Sequence, residues 1–192
     1  MAASFAVALA IVAIVGLSVD HERLGTALRA TARWSFLLFW PASIAGALVV
    51  LFGARFQALA RYGRDLGLAF ASAHLVHLSL AACLYYGAVK PPLPHSTLVF
   101  FAIAALWTYV LAIFSVTQLS ARMNPRTWRI VRIVGVEYIA FAFLFDFVGH
   151  LQQGGAVNFL IYFPFTVLAA AGPLLRLAAT MKRLSQSRTL AA

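Results

Sequence analysis

Two histidines in the third apolar stretch of the chain, His74 and His77, have the residue type and spacing best suited to chemistry. They are three positions apart, so on a helix they lie about 60° apart on one face. Counted from the charged boundary at Asp65, they lie about 14 and 18 Å along the helix, near the middle of a membrane. Neutral imidazole is the commonest metal ligand and can relay protons, but it also serves as an interhelical hydrogen-bond donor. The pair therefore suits a metal or cofactor site, a proton relay or a structural hydrogen bond, and the sequence leaves these open.

The fifth apolar stretch carries four further candidates: Arg132, Glu137, Asp146 and His150. A charged side chain at the bilayer centre costs about 2.5 to 3.5 kcal/mol on insertion scales, so each needs a partner, a neutral state or a role. Asp146 and His150 are four positions apart and can pair. Arg132 and Asp146 fall on similar helix faces and Glu137 on another, which predicts a central helix with several neighbours. Glu137 and Asp146 are either structural groups, neutral or paired with an arginine or histidine, or members of a functional relay.

Composition places these residues in lipid. The 192 residues are 63% hydrophobic and only 10% charged, whereas soluble domains are about 25% charged. We predict one integral-membrane domain over residues 1–192, an all-α bundle of six spans, or of five if the first segment does not cross the membrane. The expected spans are about 3–18, 34–54, 66–87, 96–118, 127–149 and 157–178. Almost no chain is left for a soluble nucleotide-binding or peptidase module, and we identify no catalytic residue.

The basic residues that give the chain its net charge of +10 are arranged in a pattern that indicates membrane topology. Basic residues lie in short loops and not on one polar face, which argues against nucleic-acid binding. Lys and Arg number three in 55–65, three in 119–129 and four from Arg176 onward, against one in 87–96 and none in 149–157. This bias predicts a membrane protein whose C-terminus faces the cytoplasm.

Two features of the chain stand apart from this pattern. Arg23, Arg29 and Arg33 lie in a loop that should face outward, so we expect either that this loop forms an amphipathic interfacial segment or that the first segment does not span the membrane. The first apolar segment has no basic region before it, which favours a retained span over a cleaved signal peptide. The single cysteine, Cys83, excludes an intrachain disulfide.

The third stretch begins with Arg64-Asp-Leu-Gly-Leu68, and His77 follows ten positions after Gly67. In these residues the chain resembles the ferric-reductase-like transmembrane domain family, which includes the haem-bearing membrane subunit of the bacterial periplasmic methionine sulfoxide reductase system. The resemblance implies a location in the cytoplasmic (inner) membrane of a bacterium. It continues through Ser115-Val-Thr117 and Trp128, and it covers about residues 60 to 150. The expected six spans match as well.

This resemblance implies a haem b held between histidines of the third and fifth helices. His77 takes the third-helix position, and His74 supports or replaces it. The two fifth-helix positions fall on Arg132 and Phe145, so both expected ligands there are missing. His150 lies about 7.5 Å too far along the helix to substitute, whereas Arg132 can pair with a haem propionate or an acidic headgroup.

Three functions follow from these residues. The first is a membrane electron-transfer component that binds haem b through His77 and works with a soluble or membrane redox partner chain. The second is a haem-free accessory subunit or small-molecule-binding bundle, in which His74, His77 and Glu137 form a structural hydrogen-bond network. The third, a proton-coupled transporter using Glu137, Asp146 and His77, is less favoured because the chain shows no internal repeat.

Overall fold

A computed structural model describes residues 2–16, 21–87, 93–117 and 119–189. The end of the predicted first span and residues 90–92 of the proline-rich segment 90–95 lie outside these residues. Every element in the described part is helical: α1 Ala2–Gly16, α2 His21–Phe52, a 3₁₀ turn Ala54–Phe56, α3 Gln57–Gly87, α4 His95–Val116, α5 Leu119–Arg122, α6 Pro125–Gln152 and α7 Ala156–Thr189. The predicted all-α fold class is confirmed.

Four of the described helices are long and apolar enough to cross a membrane. They run over Leu24–Phe52, Ala54–Gly87, His95–Val116 and Ala156–Ser187. The predicted fifth span falls on α6, which is long enough at 28 residues but carries five charged side chains and is not among the four. The helix α1 has 15 residues, or about 22 Å, short of the 30 Å hydrocarbon core.

Helix bounds differ from the sequence prediction at three ends. The polar segment before residue 34 continues α2 toward its N-terminus and does not form a separate interfacial segment, so α2 is 32 residues long. The helix α3 begins at Gln57, before the predicted boundary at 66, and α7 continues to Thr189. Pro164 and Pro173 both lie inside α7. Hydropathy marks the apolar part of a helix, and these helices extend past it.

Five long helices form a closed ring. In order around it, α2 packs against α3, α3 against α4, α4 against α6, α6 against α7, and α7 against α2. Phenylalanines fill the interior, with Phe36, Phe39, Phe143 and Phe147 each at most 8% exposed. The rings of Phe36 and Phe147 meet edge to face with centroids 5.0 Å apart. Aromatic packing therefore holds the centre together.

The short helix α1 lies outside the ring, in the groove between α2 and α3. Ala8 is fully buried there against Ala73 and Val76. The indole Nε1 of Trp34 donates to the carbonyl of Ser4 over 3.3 Å. The first apolar segment therefore lies at the rim of the bundle.

Helix direction gives the bundle two chemically different ends. The helices α2 and α7 run parallel, because Trp40 Nε1 donates to the Leu168 carbonyl and Lys182 Nζ to the Leu51 carbonyl, at 2.6 and 3.1 Å. The C-terminal ends of α2, α4 and α7 therefore lie with the N-terminal ends of α3 and α6, and we call this the basic end. It carries eleven of the fifteen Lys and Arg residues and two of the five acidic ones. The other end is called the opposite end.

Gly135 sets the contact between α4 and α6. A Cβ at this position would lie 2.9 Å from Trp107 Cε3 and 3.0 Å from Leu111 Cδ1. Small residues at such crossings allow membrane helices to approach closely.

Gly135→Ala is expected to destabilise the bundle, because the added methyl group forces the two helices apart. We expect it to cost about 1 to 3 kcal/mol relative to Gly149→Ala. Gly149 lies on the same helix, its Cβ would meet nothing within 4 Å, and both changes gain similar helix propensity. Thermal unfolding in detergent measures the difference, and equal melting temperatures for the two variants would contradict the proposed packing.

Candidate functional site

His77 is held against α2 by its Nδ1 atom. This atom lies 3.2 Å from the Leu28 carbonyl oxygen and 3.2 Å from Thr31 Oγ1. The carbonyl can only accept, so Nδ1 carries the proton of the neutral ring. Thr31 donates its own proton to the carbonyls of Ala27 and Leu28, which leaves its oxygen free to accept from His77. Nε2 of His77 therefore keeps a lone pair, and it has no hydrogen-bond partner among the described residues.

His74 stacks on His77 and faces the aromatic interior. The two imidazole centroids are 5.1 Å apart and their planes differ by 22°. Phe70 lies 5.2 Å from the His74 ring and Phe143 of α6 lies 6.2 Å from it. Nδ1 of His74 is buried without a partner in the described part of the chain. The predicted shared face of the two histidines is thus present, as a stacked, half-buried pair.

Glu137 pairs with Arg176, a residue that the sequence analysis counted only as part of the basic tail. The guanidinium donates Nε to Oε1 at 2.6 Å and Nη2 to Oε2 at 2.7 Å. Nη1 also donates to Ser43 Oγ at 3.2 Å, which links α6, α7 and α2. Side-chain exposure is 15% for Arg176 and 41% for Glu137. Of the roles left open for Glu137, pairing with an arginine is the one observed.

The expected network of three residues does not form. Within the described residues, no hydrogen bond joins Glu137 to His74 or His77. Glu137 belongs to the half of the bundle near the basic end, together with Arg176 and Ser43. The candidate polar residues therefore form separate groups.

A further group lies toward the opposite end. Asp146 Oδ1 is 3.7 Å from His150 Nε2, which confirms the predicted pairing of these residues. The His150 ring stacks on Tyr162 of α7 at 4.8 Å. The guanidinium carbon of Arg33 lies 5.6 Å from the centroid of the same tyrosine. Tyr162 was not predicted as a site residue. Its hydroxyl lies in an apolar stretch and therefore needs a hydrogen-bond partner, which was the available signal.

The positions expected to hold the second haem ligand point away from His77. Arg132 is exposed, and Phe145 is 50% exposed and packs against Phe100 and Phe101 of α4. The α6 ring that faces His74 is Phe143, which offers no ligand atom. The residues present therefore do not fit a haem held between α3 and α6.

Two clefts on the described part of the bundle lie away from this pair of histidines. One of about 310 Å³ is lined by Ala3, Ser4, Val7, Trp34, Leu38 and Ala69. Another of about 240 Å³ is lined by Ser96, Thr97, Phe100, Phe141 and Phe145. Neither contains a histidine.

Comparison of the chain with profiles of known families, with curated proteins and with solved structures finds no match. In the part of the chain that the structure describes, no three His, Cys, Asp or Glu residues cluster closely enough to hold a metal ion. The site must therefore be interpreted from its own geometry.

Glu137→Gln is expected to lower the free energy of unfolding by about 1 to 3 kcal/mol, because it leaves the mostly buried Arg176 guanidinium without a carboxylate. Asp146→Asn is the control, since its contact with His150 is longer, at 3.7 Å, and the His150 side chain is more exposed than that of Arg176. Its loss should stay below about 1 kcal/mol.

Chemical unfolding in detergent measures both losses. The double variant Glu137→Gln/Arg176→Gln should lose less than the sum of its two single changes, since both remove the same interaction. Strict additivity would show that the pair contributes nothing to stability.

Proposed function

We propose that this protein is a haem-free, multi-pass bundle of a bacterial cytoplasmic membrane that binds a small membrane-soluble molecule at the His74–His77 pair. The ligand class is an apolar molecule with one hydroxyl or N–H group, which donates a hydrogen bond to Nε2 of His77. The observation that carries the proposal is the Nδ1 contact with the Leu28 carbonyl, since it fixes Nε2 as an unpaired acceptor.

The surroundings of the pair suit such a ligand. Phe70 and Phe143 supply apolar contacts, and both histidines keep part of their surface accessible. Small-molecule sites are mostly apolar, with a few polar groups that fix orientation. In a low-dielectric environment an unpaired acceptor such as Nε2 of His77 is costly. A hydrogen bond donated to it therefore contributes more binding free energy than the same bond would in water.

The charge distribution supports the location and orientation. Four helices are apolar and long enough for a membrane, and the basic end holds eleven of the fifteen Lys and Arg residues. By the positive-inside rule the basic end, with the C-terminus of α7, faces the cytoplasm. The pair of histidines then lies in the outer half of the bilayer.

In this proposal the resemblance to the ferric-reductase-like family reflects a similar fold and not a similar function. The third-helix position holds His77, and the fifth helix has lost both of its ligand positions. Shared folds commonly host different functions, so a ligand-binding use of the remaining histidine is compatible with common descent.

The first test is the absorption spectrum of protein purified in detergent from haem-sufficient bacterial cells. We expect no Soret band in the wild type, in His77→Phe or in the control His150→Phe. A Soret band that His77→Phe removes and His150→Phe keeps would overturn the haem-free proposal and restore the electron-transfer function with His77 as ligand.

The second test compares phenol with anisole, which has the same ring but cannot donate a hydrogen bond. We expect the wild type to bind phenol about three- to tenfold more tightly, the value of one hydrogen bond. His77→Phe should lose this preference, and His150→Phe should keep it. Ligand-observed NMR titration, with binding to empty micelles subtracted, gives the affinities, and equal binding of both probes to the wild type would refute the role of Nε2.

A further inference from the structure

Arg29, Arg33 and Tyr162, at the opposite end of the bundle, form a group that the ligand site does not use. Arg29 and Arg33 are one turn apart on α2, and Tyr162 lies on the neighbouring helix α7. From its geometry we infer that this group, the Arg29–Tyr162 cluster, is a binding site for a phosphate group.

Among the described residues, neither guanidinium group forms an ion pair with a carboxylate. Arg29 Nη2 donates to Thr26 Oγ1 at 3.1 Å, and Arg33 Nε donates to the Arg29 carbonyl at 3.2 Å. The ion pairs within 4 Å among the described residues are His150–Asp146 and Arg176–Glu137, and neither includes Arg29 or Arg33. Two like charges one turn apart repel each other. Arg33 is also half-buried, so its charge lacks full hydration and a bound anion would offset this cost.

Tyr162 supplies an unused donor in the same place. Its side chain is 3% exposed, and its hydroxyl is buried without a hydrogen-bond partner in the described part of the protein. The guanidinium carbon of Arg33 lies 5.6 Å from the centroid of the Tyr162 ring, and Arg29 lies one turn before Arg33 on α2. A buried hydroxyl without a partner is costly, which makes it a candidate donor to a ligand oxygen.

Asp146 does not neutralise the two arginines. Its carboxylate lies at 3.7 Å from His150, and it makes no ion pair with either guanidinium. Two other acidic residues, Asp20 and Glu22, precede this segment in the sequence, and their side chains lie outside the described residues. These two carboxylates are the intramolecular rivals of an external anion.

Phosphate suits the donor set better than other anions. Guanidinium groups bind phosphate through two parallel hydrogen bonds, and a tetrahedral phosphate keeps a further oxygen for the Tyr162 hydroxyl. The cluster lies in the first half of α2 and of α7, toward the surface of the bilayer. A lipid headgroup and a soluble phosphate ester both present this chemistry there.

The test uses full-length protein in nanodiscs of phosphatidylcholine with and without phosphatidylglycerol. Native mass spectrometry counts retained phosphatidylglycerol, and we expect the wild type to retain at least about tenfold more than Arg29→Gln/Arg33→Gln. Tyr162→Phe should reduce retention about three- to tenfold, since it removes one hydroxyl and keeps the ring. Arg129→Gln, an exposed arginine at the basic end, is the matched control and should change nothing.

Glycerol 3-phosphate and inorganic phosphate, added to the same protein, distinguish the source of the phosphate group. Displacement of phosphatidylglycerol by either one assigns the site to soluble phosphates, and no displacement assigns it to the lipid headgroup. The proposal fails if Tyr162→Phe and the double arginine variant both retain as much lipid as Arg129→Gln. It also fails if the wild type shows no preference for phosphatidylglycerol and Asp20→Asn/Glu22→Gln gains this preference, because those carboxylates would then be the partners of the two arginines.

Discussion

A polar group inside an apolar bundle must find its hydrogen-bond partner within the protein or in a ligand, and this constraint organises the whole structure. In the half near the basic end the groups are satisfied. Arg176 binds Glu137 and Ser43, Trp40 binds the Leu168 carbonyl, and Arg64 binds the Ser115 carbonyl. These bonds connect α2, α3, α4, α6 and α7, so the polar groups of this half serve to hold the ring together.

The other half contains satisfied groups as well, such as His77 Nδ1 and the Trp34 indole, but it also contains unsatisfied ones. Within the described residues, the buried side-chain atoms without a partner are Ser35 Oγ, His74 Nδ1 and Tyr162 Oη. All three lie in the half of the bundle away from the basic end. An unsatisfied buried group costs about 1 to 3 kcal/mol, and a stable protein tolerates several of them in one region more easily if a ligand completes their bonds. The contrast between the two halves is the physical reason to assign stability to one and binding to the other.

The sequence predicted the elements better than their contacts. Hydropathy located α4 and the apolar parts of the other long helices. The helix α6 begins at Pro125, and the Asn124 side chain accepts a hydrogen bond from the Arg126 amide. The helical repeat also predicted the contact of Asp146 with His150. Arg176 was missed as the partner of Glu137 because the two are 39 residues apart, and their contact depends on how far α7 rotates about its axis. Hydropathy carries no information about that rotation. The contact between Arg33 and Tyr162 was missed for the same reason.

The first turns of α2 decide whether either proposed site can exist. As one alternative, the sequence predicted that this segment lies along the membrane surface. In the structure it instead forms the N-terminal part of α2. In that position Leu28 and Thr31 face His77 on one side, while Arg33 reaches Tyr162 on another. A segment lying flat on the surface would place neither set of side chains in contact with the bundle. The tautomer of His77 and the contact of Arg33 with Tyr162 thus share one cause, which is the continuation of α2 through a polar sequence that hydropathy excludes from the span.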